Sequence, residues 1–187
     1  MISGTTGPSS MIPSHPGFRT GRYYEIGEMN GVVRPLLAAS TAAVANRVVY
    51  FPMRVTAPMS ISEVHLQITT GGGNLRVGLY ANANGQPTGS PLIDSGVIDV
   101  SGTGDKSAAF VITLQPGWYW VALHTSSTPV WNGYSAGGVQ MVGASTAADA
   151  THYEGWIETK AFGALAAPGT LTEYSSPGTA RVQFKIA

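Results

Sequence analysis

The stretch ISEVHLQITTGGGNLRVGL, residues 61–79, determines the predicted fold class. In its first half the apolar residues Val64, Leu66 and Ile68 alternate with polar ones, which is the two-residue period of a strand with one buried face. Three glycines and an asparagine, residues 71–74, then permit a reversal of the chain, after which the alternation resumes. The stretch therefore predicts an antiparallel β-hairpin.

Strand signals recur along most of the chain. Turn signals separate them, such as Asn84-Gly85 and Pro116-Gly117. The segments with strand composition are 47–55, 92–100, 108–114, 118–123 and 181–186, with weaker candidates at 130–131, 139–142 and 153–157. About eight short strands with little helix predict an all-β fold, an antiparallel two-sheet sandwich that is jelly-roll-like or a related Greek key. An immunoglobulin-like sandwich is the alternative, although its cysteine pair is missing.

The segment WYWVAL, residues 118–123, is apolar on both faces of the predicted strand. Such a strand either is covered on both faces within its own domain or turns one face to a neighbouring subunit. Trp118 and Trp120 are accordingly expected in a core. One further segment, residues 36–45, has helical propensity through its alanines, and a loop is the alternative there.

The N-terminal region differs from the rest. Residues 1–30 are rich in Pro and Gly and show no strand or helix period, so residues 1–46 are predicted as an extended N-terminal docking arm and linker, and residues 47–187 as the sandwich domain. A disordered terminus is the alternative. The candidate docking residues of the arm are Met11, Ile12, Phe18, Arg22, Tyr23 and Tyr24.

Composition excludes several classes of partner. Ten basic residues balance ten acidic ones, so no net field attracts nucleic acid. Only 11% of residues are charged, which favours burial of apolar surface between subunits. Cysteine is absent, which excludes disulfides and thiolate metal sites. The first residues lack a secretory signal pattern and no long apolar run is present, so synthesis in a cytoplasm without membrane insertion is expected.

Catalytic motifs are present only in fragments. Residues 133–137, GYSAG, fit the nucleophile elbow of hydrolases and precede Asp149 and His152, but no helical period follows, so a turn is the preferred interpretation. Residues 102–107, GTGDKS, resemble the end of a phosphate-binding loop, but Asp105 separates the glycine and lysine that must be adjacent. A turn between strands is expected there as well.

Metal and acid–base chemistry are equally weak predictions. The four histidines are isolated in sequence, and Asp94, Asp99 and Asp105 follow no known cation-binding spacing. Glu154 and Glu158 are the best candidates for a glycosidase pair, but alternate strand positions explain them more simply. The sequence therefore predicts no enzyme, no cofactor and no bound metal.

Aromatic residues supply the candidate binding site. Trp and Tyr bury a large area at low entropic cost, so they serve cores, subunit interfaces and carbohydrate contacts alike. Four Trp and Tyr residues lie in glycine-rich segments that could form the tip of the domain. They are the candidate ligand- or receptor-facing residues Trp131, Tyr134, Tyr153 and Trp156.

Several motifs occur in a recognisable order. They are HPGF (15–18), GRYY (21–24), VYFPMRV (49–55), LRVGLY (75–80), NGQPTG (84–89) and LQPGWYWVA (114–122). This series, over about residues 15–125, resembles a domain found at the ends of phage tail-fibre and minor tail proteins. The family's modules are trimeric sandwiches at the outer surface of virions, some of which bind receptors while others decorate heads.

The resemblance implies a function. We expect a homotrimer on the virion surface of a tailed bacteriophage, docked through its arm to other virion proteins and adhering to host surface glycan. A capsid decoration or head-fibre protein is the alternative, and a polysaccharide-degrading enzyme is a more remote one. Only about 30 unpatterned residues precede the module, too few for a fibre shaft, so a tip or a short surface module is expected.

Overall fold

The computed structural model describes residues 18–25, 38–135, 153–175 and 178–187. These residues form fourteen β-strands and no helix. In chain order the strands are β1 (Tyr23–Glu25), β2 (Ala38–Ala42), β3 (Arg47–Val55), β4 (Met59–Thr70), β5 (Asn74–Ala83), β6 (Gln86–Asp94), β7 (Ile98–Asp99), β8 (Gly104–Leu114), β9 (Gly117–Thr125), β10 (Val130–Ser135), β11 (Gly155–Thr159), β12 (Thr172–Tyr174), β13 (Gly178–Ala180) and β14 (Gln183–Ile186).

The first sheet is built around β4. One edge of β4 pairs with β8, and the other pairs with β14 along its first half and with β10 along its second. Strand β1 lies outside β14, while β2 and β13 pair with β10. Every pairing is antiparallel, and Val64 stands at the centre, opposite both Ala108 and Phe184.

The second sheet has the order β12-β11-β3-β9-β5-β6, with β7 also paired to β5. The long central pair β3–β9 runs from Arg47 opposite Thr125 to Val55 opposite Gly117. The two sheets pack face to face, and this confirms the predicted all-β, antiparallel two-sheet sandwich. Successive strands such as β3, β4, β5 and β8, β9, β10 cross between the sheets, a jelly-roll-like connectivity.

The predicted hairpin over residues 61–79 is wrong, although both of its strands exist. Strand β4 lies in the first sheet and β5 in the second, so the glycines between them carry the chain across the sandwich. The amide of Gly72 donates to the carbonyl of Val100, and a Cβ on Gly71 would collide with the backbone oxygen of Ser101. The alternation was compatible with either arrangement, because both strands bury one face in the shared core.

The hairpin that does form joins β5 to β6. Asn84 and Gly85 both have positive φ, at 52° and 76°, as a two-residue type I′ turn requires. Residues 86–89, which follow this turn, belong to β6. The core between the sheets contains alternate residues from both, and the rings of Phe110 and Phe184 pack there 5.7 Å apart.

Two strands lie within residues 1–46, the predicted arm and linker. Strand β1 pairs with β14, and β2 pairs with β10 over five consecutive residues. A helix at 36–45 and the alternative of a loop are therefore both wrong for Ala38–Ala42, because pairing with β10 overrides the local propensity of alanine. The sandwich thus includes segments that precede Arg47.

Candidate ligand-binding face

The outer face of the second sheet is unusually aromatic. Tyr50 on β3, Tyr80 on β5 and Trp120 on β9 point away from the main core and form a second apolar cluster with Val48, Ala122 and Leu165. Residues 160–171, named the covering loop, extend over this cluster. The strand predicted from residues 118–123 is thus covered on both faces within one chain from Trp120 onward, by the main core and by this loop.

Hydrogen bonds attach the covering loop to the sheet along its length. The first end bonds to Asn46, in the turn before β3, and the other end bonds to Glu158 of β11. The centre bonds to a tyrosine hydroxyl and to the carboxylate of Asp94. These bonds are Lys160 N to Asn46 O (2.9 Å), Phe162 N to Asn46 Oδ1 (3.1 Å), Leu165 N to Asp94 Oδ2 (3.1 Å), Tyr80 Oη to Ala166 O (2.9 Å) and Gly169 N to Glu158 Oε1 (3.1 Å).

A buried phenol–carboxylate contact lies under this loop. The hydroxyl of Tyr50 donates to Glu158 Oε2 at 3.1 Å, and the ring of Tyr50 packs edge-on against Tyr80 at 5.4 Å. Burial, with the nearby negative charge of Glu158, raises the pKa of both tyrosines well above the ordinary value, so both hydroxyls remain donors. Both oxygens of Glu158 accept hydrogen bonds, which gives this side chain a role in holding the loop.

Glu154 and Glu158, considered as a glycosidase pair, are both buried, each 9% exposed. Hydrolysis of a polysaccharide needs two carboxyl groups that reach a sugar in a groove. Neither side chain presents itself to solvent in this way.

Tyr153 and Trp156, two of the predicted ligand-facing residues, lie on this aromatic face. Both are half-buried against the second cluster. The indole Nε1 of Trp156 donates to the carbonyl of Gly85 at 2.8 Å, which connects β11 to the β5–β6 turn. The two residues are therefore brought together.

Trp131 and Tyr134 lie on the other sheet, in β10. Trp131 is 4% exposed within the main core, so it presents no ring at a tip. Its ring lies in the core shared with the second sheet, next to a small cavity that Val49, Phe51 and Leu123 also line. The glycine-rich composition around it did not indicate this. The backbone of Tyr134 pairs with Ala38. The four predicted residues thus divide between two sheets.

Trp118, expected in a core, is 44% exposed. It is the second residue of β9 and lies on the same face as Trp120, at the end that the covering loop leaves open. Arg54 stands opposite it on β3, and Asn82 follows Ala81, the partner of Tyr119, on β5. We name Arg54, Trp118 and Asn82 the open row. Only the position of Trp118 directly after Pro116-Gly117, where a strand begins, signalled its exposure.

The described part of the predicted arm packs on the sandwich. Phe18 contacts Tyr24 edge-on at 5.0 Å, and the Tyr24 hydroxyl accepts from the Arg19 amide. Tyr23 is 44% exposed and packs edge-on against His65 at 4.7 Å. Arg22 is exposed, and its carbonyl accepts from the amide of Ile186. Met11 and Ile12 lie outside the described residues.

The catalytic motifs take other conformations. Gly133–Ser135 of the GYSAG sequence belong to β10 rather than to the expected turn, and residues 136 and 137, Asp149 and His152 lie outside the described residues. The second half of GTGDKS opens β8. Within the described ranges, no three His, Cys, Asp or Glu side chains group to hold a metal ion.

The chain matches no family model and no curated protein. Among the residues that the structure describes, no helix is long and apolar enough to cross a membrane.

Proposed function

We propose that the chain is a structural virion protein of a tailed bacteriophage, made in the host cytoplasm and exposed on the virion surface. In this proposal three copies form a fibre- or spike-type module. The N-terminal arm docks it to other virion proteins, and the sandwich adheres to the host surface, with surface glycan as the partner.

One observation carries the proposal. Four of the motif segments that resemble phage tail-fibre modules, residues 49–55, 75–80, 84–89 and 114–122, fall on β3, β5, β6 and β9. These strands are consecutive neighbours in the second sheet, in the order β3-β9-β5-β6. The motifs are thus parts of one contiguous surface rather than scattered matches, which supports their origin in one module.

Two further features support the separate parts of the proposal. The low charge of the chain favours association of subunits. Strand β1, at the end of the arm, pairs with β14, so an arm bound to a virion partner would transmit that attachment directly to the sandwich.

Head decoration is the second candidate, and the outer face of the first sheet favours it. Polar side chains pair across its strands, including Lys185 with Glu63 at 2.6 Å and the hydroxyls of Ser60 and Thr113 at 2.9 Å. A polar surface of this kind suits contacts with a protein lattice, which are wetter and less apolar than a subunit core.

Adsorption to host cells separates the two candidates. Purified protein is expected to adsorb to the host bacterium and to reduce infection when it is added before the phage. Failure of both, together with density for the protein on the capsid in images of the particle, would replace adhesion by decoration.

A light-scattering mass equal to one 19.4 kDa chain would contradict the trimer. A loss of viscosity when host polysaccharide is incubated with the protein would support the third alternative, a polysaccharide-degrading enzyme.

A further inference from the structure

The open row crosses three neighbouring strands of the second sheet. Arg54 and Trp118 are direct partners in β3 and β9, and Asn82 lies beside Trp118 on β5. Adjacent strands are about 4.8 Å apart, so the backbones of Arg54 and Asn82 are separated by about 10 Å, with the indole between them. The row is therefore a short strip with one aromatic ring at its centre.

Trp118 differs from its neighbour Trp120 in what covers it. Leu165 and Leu171 of the covering loop, together with Tyr153 and Trp156, pack on the aromatic cluster, and Trp120 is 3% exposed there. Trp118 lies two residues away on the same face and is 44% exposed. A large indole left in water on an otherwise covered face is a site at which a ligand gains by burying it.

The size of the apolar surface indicates what kind of ligand fits. A stable contact between protein chains buries about 800 Å² on each partner, whereas one Trp side chain supplies at most about 250 Å². The other two members of the row are polar. The open row therefore has too little apolar surface to hold a second copy of this chain. The area of one Trp side chain is sufficient for a small ligand.

The polar members of the row are donors. The side-chain oxygen of Asn82 accepts from Trp120 Nε1 at 2.9 Å, which fixes the amide and leaves its NH₂ group as the part that can serve a ligand. Arg54, on β3 beside Trp118, already takes part in an interaction within the chain, and its guanidinium carries five N–H donors, so others remain to serve a ligand. Donors on both sides of an exposed aromatic plane complement a sugar, which has an apolar C–H face and hydroxyl acceptors at its edge.

We propose that the open row is a saccharide-binding site, in which one pyranose ring stacks on Trp118 while its hydroxyls, and those of the next ring, accept from Asn82 and Arg54. This assignment rests on the adhesive part of the proposed function and adds the position of the site and the ligand class. The length of the row fits about two sugar rings, so a short glycan segment is recognised.

Titration of the whole protein with short oligosaccharides tests the site. The probes are oligomers of glucose, galactose, mannose, N-acetylglucosamine and galacturonic acid, followed by calorimetry and by Trp fluorescence. At least one series is expected to bind, and Trp118→Ala is expected to weaken that affinity about tenfold or more. Trp118→Phe keeps a ring and is expected to bind with intermediate affinity.

Tyr23→Ala is the matched control. Tyr23 is also aromatic and also 44% exposed, but it lies on the first sheet, so its removal is expected to leave saccharide affinity unchanged. Binding that Trp118→Ala leaves intact, or that Tyr23→Ala abolishes equally, would overturn the assignment. A change in light-scattering mass on Trp118→Ala would overturn it too, because Trp118 would then be a subunit contact.

Adsorption to host cells distinguishes failure of the site from failure of the proposed function. If no probe binds but the protein adsorbs to cells, the open row is not the site and adhesion uses another surface. If no probe binds and the protein does not adsorb, both the site and the adhesive function are refuted.

Discussion

Leu165 occupies the space that a side chain at position 78 would need. A Cβ on Gly78 would collide with Leu165 Cδ1 and would lie 3.1 Å from the carbonyl oxygen of Ile93. Leu165, at the centre of the covering loop, is itself 8% exposed. The absence of a side chain in the middle of β5 is therefore what allows the loop to lie directly on the second sheet.

Gly78→Ala is expected to destabilise the protein by about 1–3 kcal/mol, because the new methyl group displaces Leu165. The free energy of unfolding from urea titration measures the effect. In Gly78→Ala/Leu165→Ala the clash is absent, so the double variant should cost less than the sum of the two single variants. Gly163→Ala is the control within the loop, since only a backbone oxygen 4.0 Å away meets its Cβ. Additive costs would contradict the contact.

His124 is expected to make stability depend on pH. It is fully buried under the covering loop, where it contacts the Lys160 carbonyl and the ring of Phe162, and burial lowers its pKa below the ordinary value of 6.5. The positive charge of Lys160 acts in the same direction, because it disfavours a second cation nearby. The unfolded chain then binds more protons, so this contribution is present above about pH 6.5 and decreases as the pH falls below it.

His124→Gln should flatten this slope, as measured by urea unfolding between about pH 5 and 8. His65→Gln, at a histidine that contacts Glu63 on the first sheet, separates the contribution of a second imidazole. A variant at position 124 that keeps the full slope would assign the pH dependence to other groups. At lower pH, protonation of Glu63 further decreases the stability of the fold, because Lys185 and His65 lower the pKa of its carboxyl group.

Thr41 and Thr125 are both buried but differ in hydrogen bonding. The Thr125 hydroxyl donates to the Val44 carbonyl at 3.0 Å, whereas the Thr41 hydroxyl has no protein partner among the described residues. Thr41→Val is therefore expected to be neutral or stabilising, while Thr125→Val should cost about 1–2 kcal/mol in unfolding free energy. Both substitutions replace a hydroxyl by a methyl group of similar shape, and thermal unfolding of the two variants measures what each replacement costs in stability. Equal costs would show that the Thr41 hydroxyl has a partner, such as solvent in the adjoining cavity of about 20 Å³.

Glu25 is expected to hold β1 on the sandwich. Its carboxylate is 2% exposed and accepts from Arg181 Nε at 2.6 Å and from Gln183 Nε2 at 3.0 Å. Glu25→Ala removes this acceptor from Gln183 and from Arg181, whose side chain is 36% exposed, so it should cost about 1–3 kcal/mol in unfolding free energy. Glu63→Ala should cost less, because both members of its ion pair are about one-third exposed and solvent screens their attraction.

Hydrogen exchange of the β1 amides measures where the Glu25 effect is localised. Faster exchange at Tyr23–Glu25 in Glu25→Ala, with slow exchange retained in the centre of β9, is the expected pattern. If Glu63→Ala releases β1 to the same extent, the interaction at Glu25 is not what attaches this strand.

Alternation in the sequence identified strands and their buried faces but not their partners. Val64, Leu66 and Ile68 are all buried, as their period indicated. A two-residue period indicates only that one face of a strand is buried in a core. Two strands in one sheet and two strands in opposite sheets both satisfy this condition. The arrangement of β4 and β5 across the sandwich therefore required the three-dimensional structure.

Exposure of the tryptophans was predicted least well, for a related reason. Trp131 was expected near a tip and is buried, whereas Trp118 was expected in a core and is 44% exposed. The residues that decide each case are distant in sequence. Trp131 packs in the core against the second sheet, whereas the covering loop does not reach Trp118. Local composition does not predict contacts with residues that are distant in sequence, so the open row was not among the predicted sites.

The position of β14 has a consequence for how the protein is made. Strand β14 pairs with the first half of one edge of β4, although β4 ends at Thr70 and β14 begins only at Gln183. A chain emerging from the ribosome therefore carries β4 with half of one edge unpaired until Ile186 has been added. Strand β1, whose partner among the described strands is β14, must wait for the same event.

Closure of the first sheet is thus a late step in folding, because contacts between segments that are distant in sequence form slowly. Until that step, the buried face and the free edge of β4 are open to aggregation. Production of soluble protein depends on the interval between synthesis of β4 and arrival of its last partner.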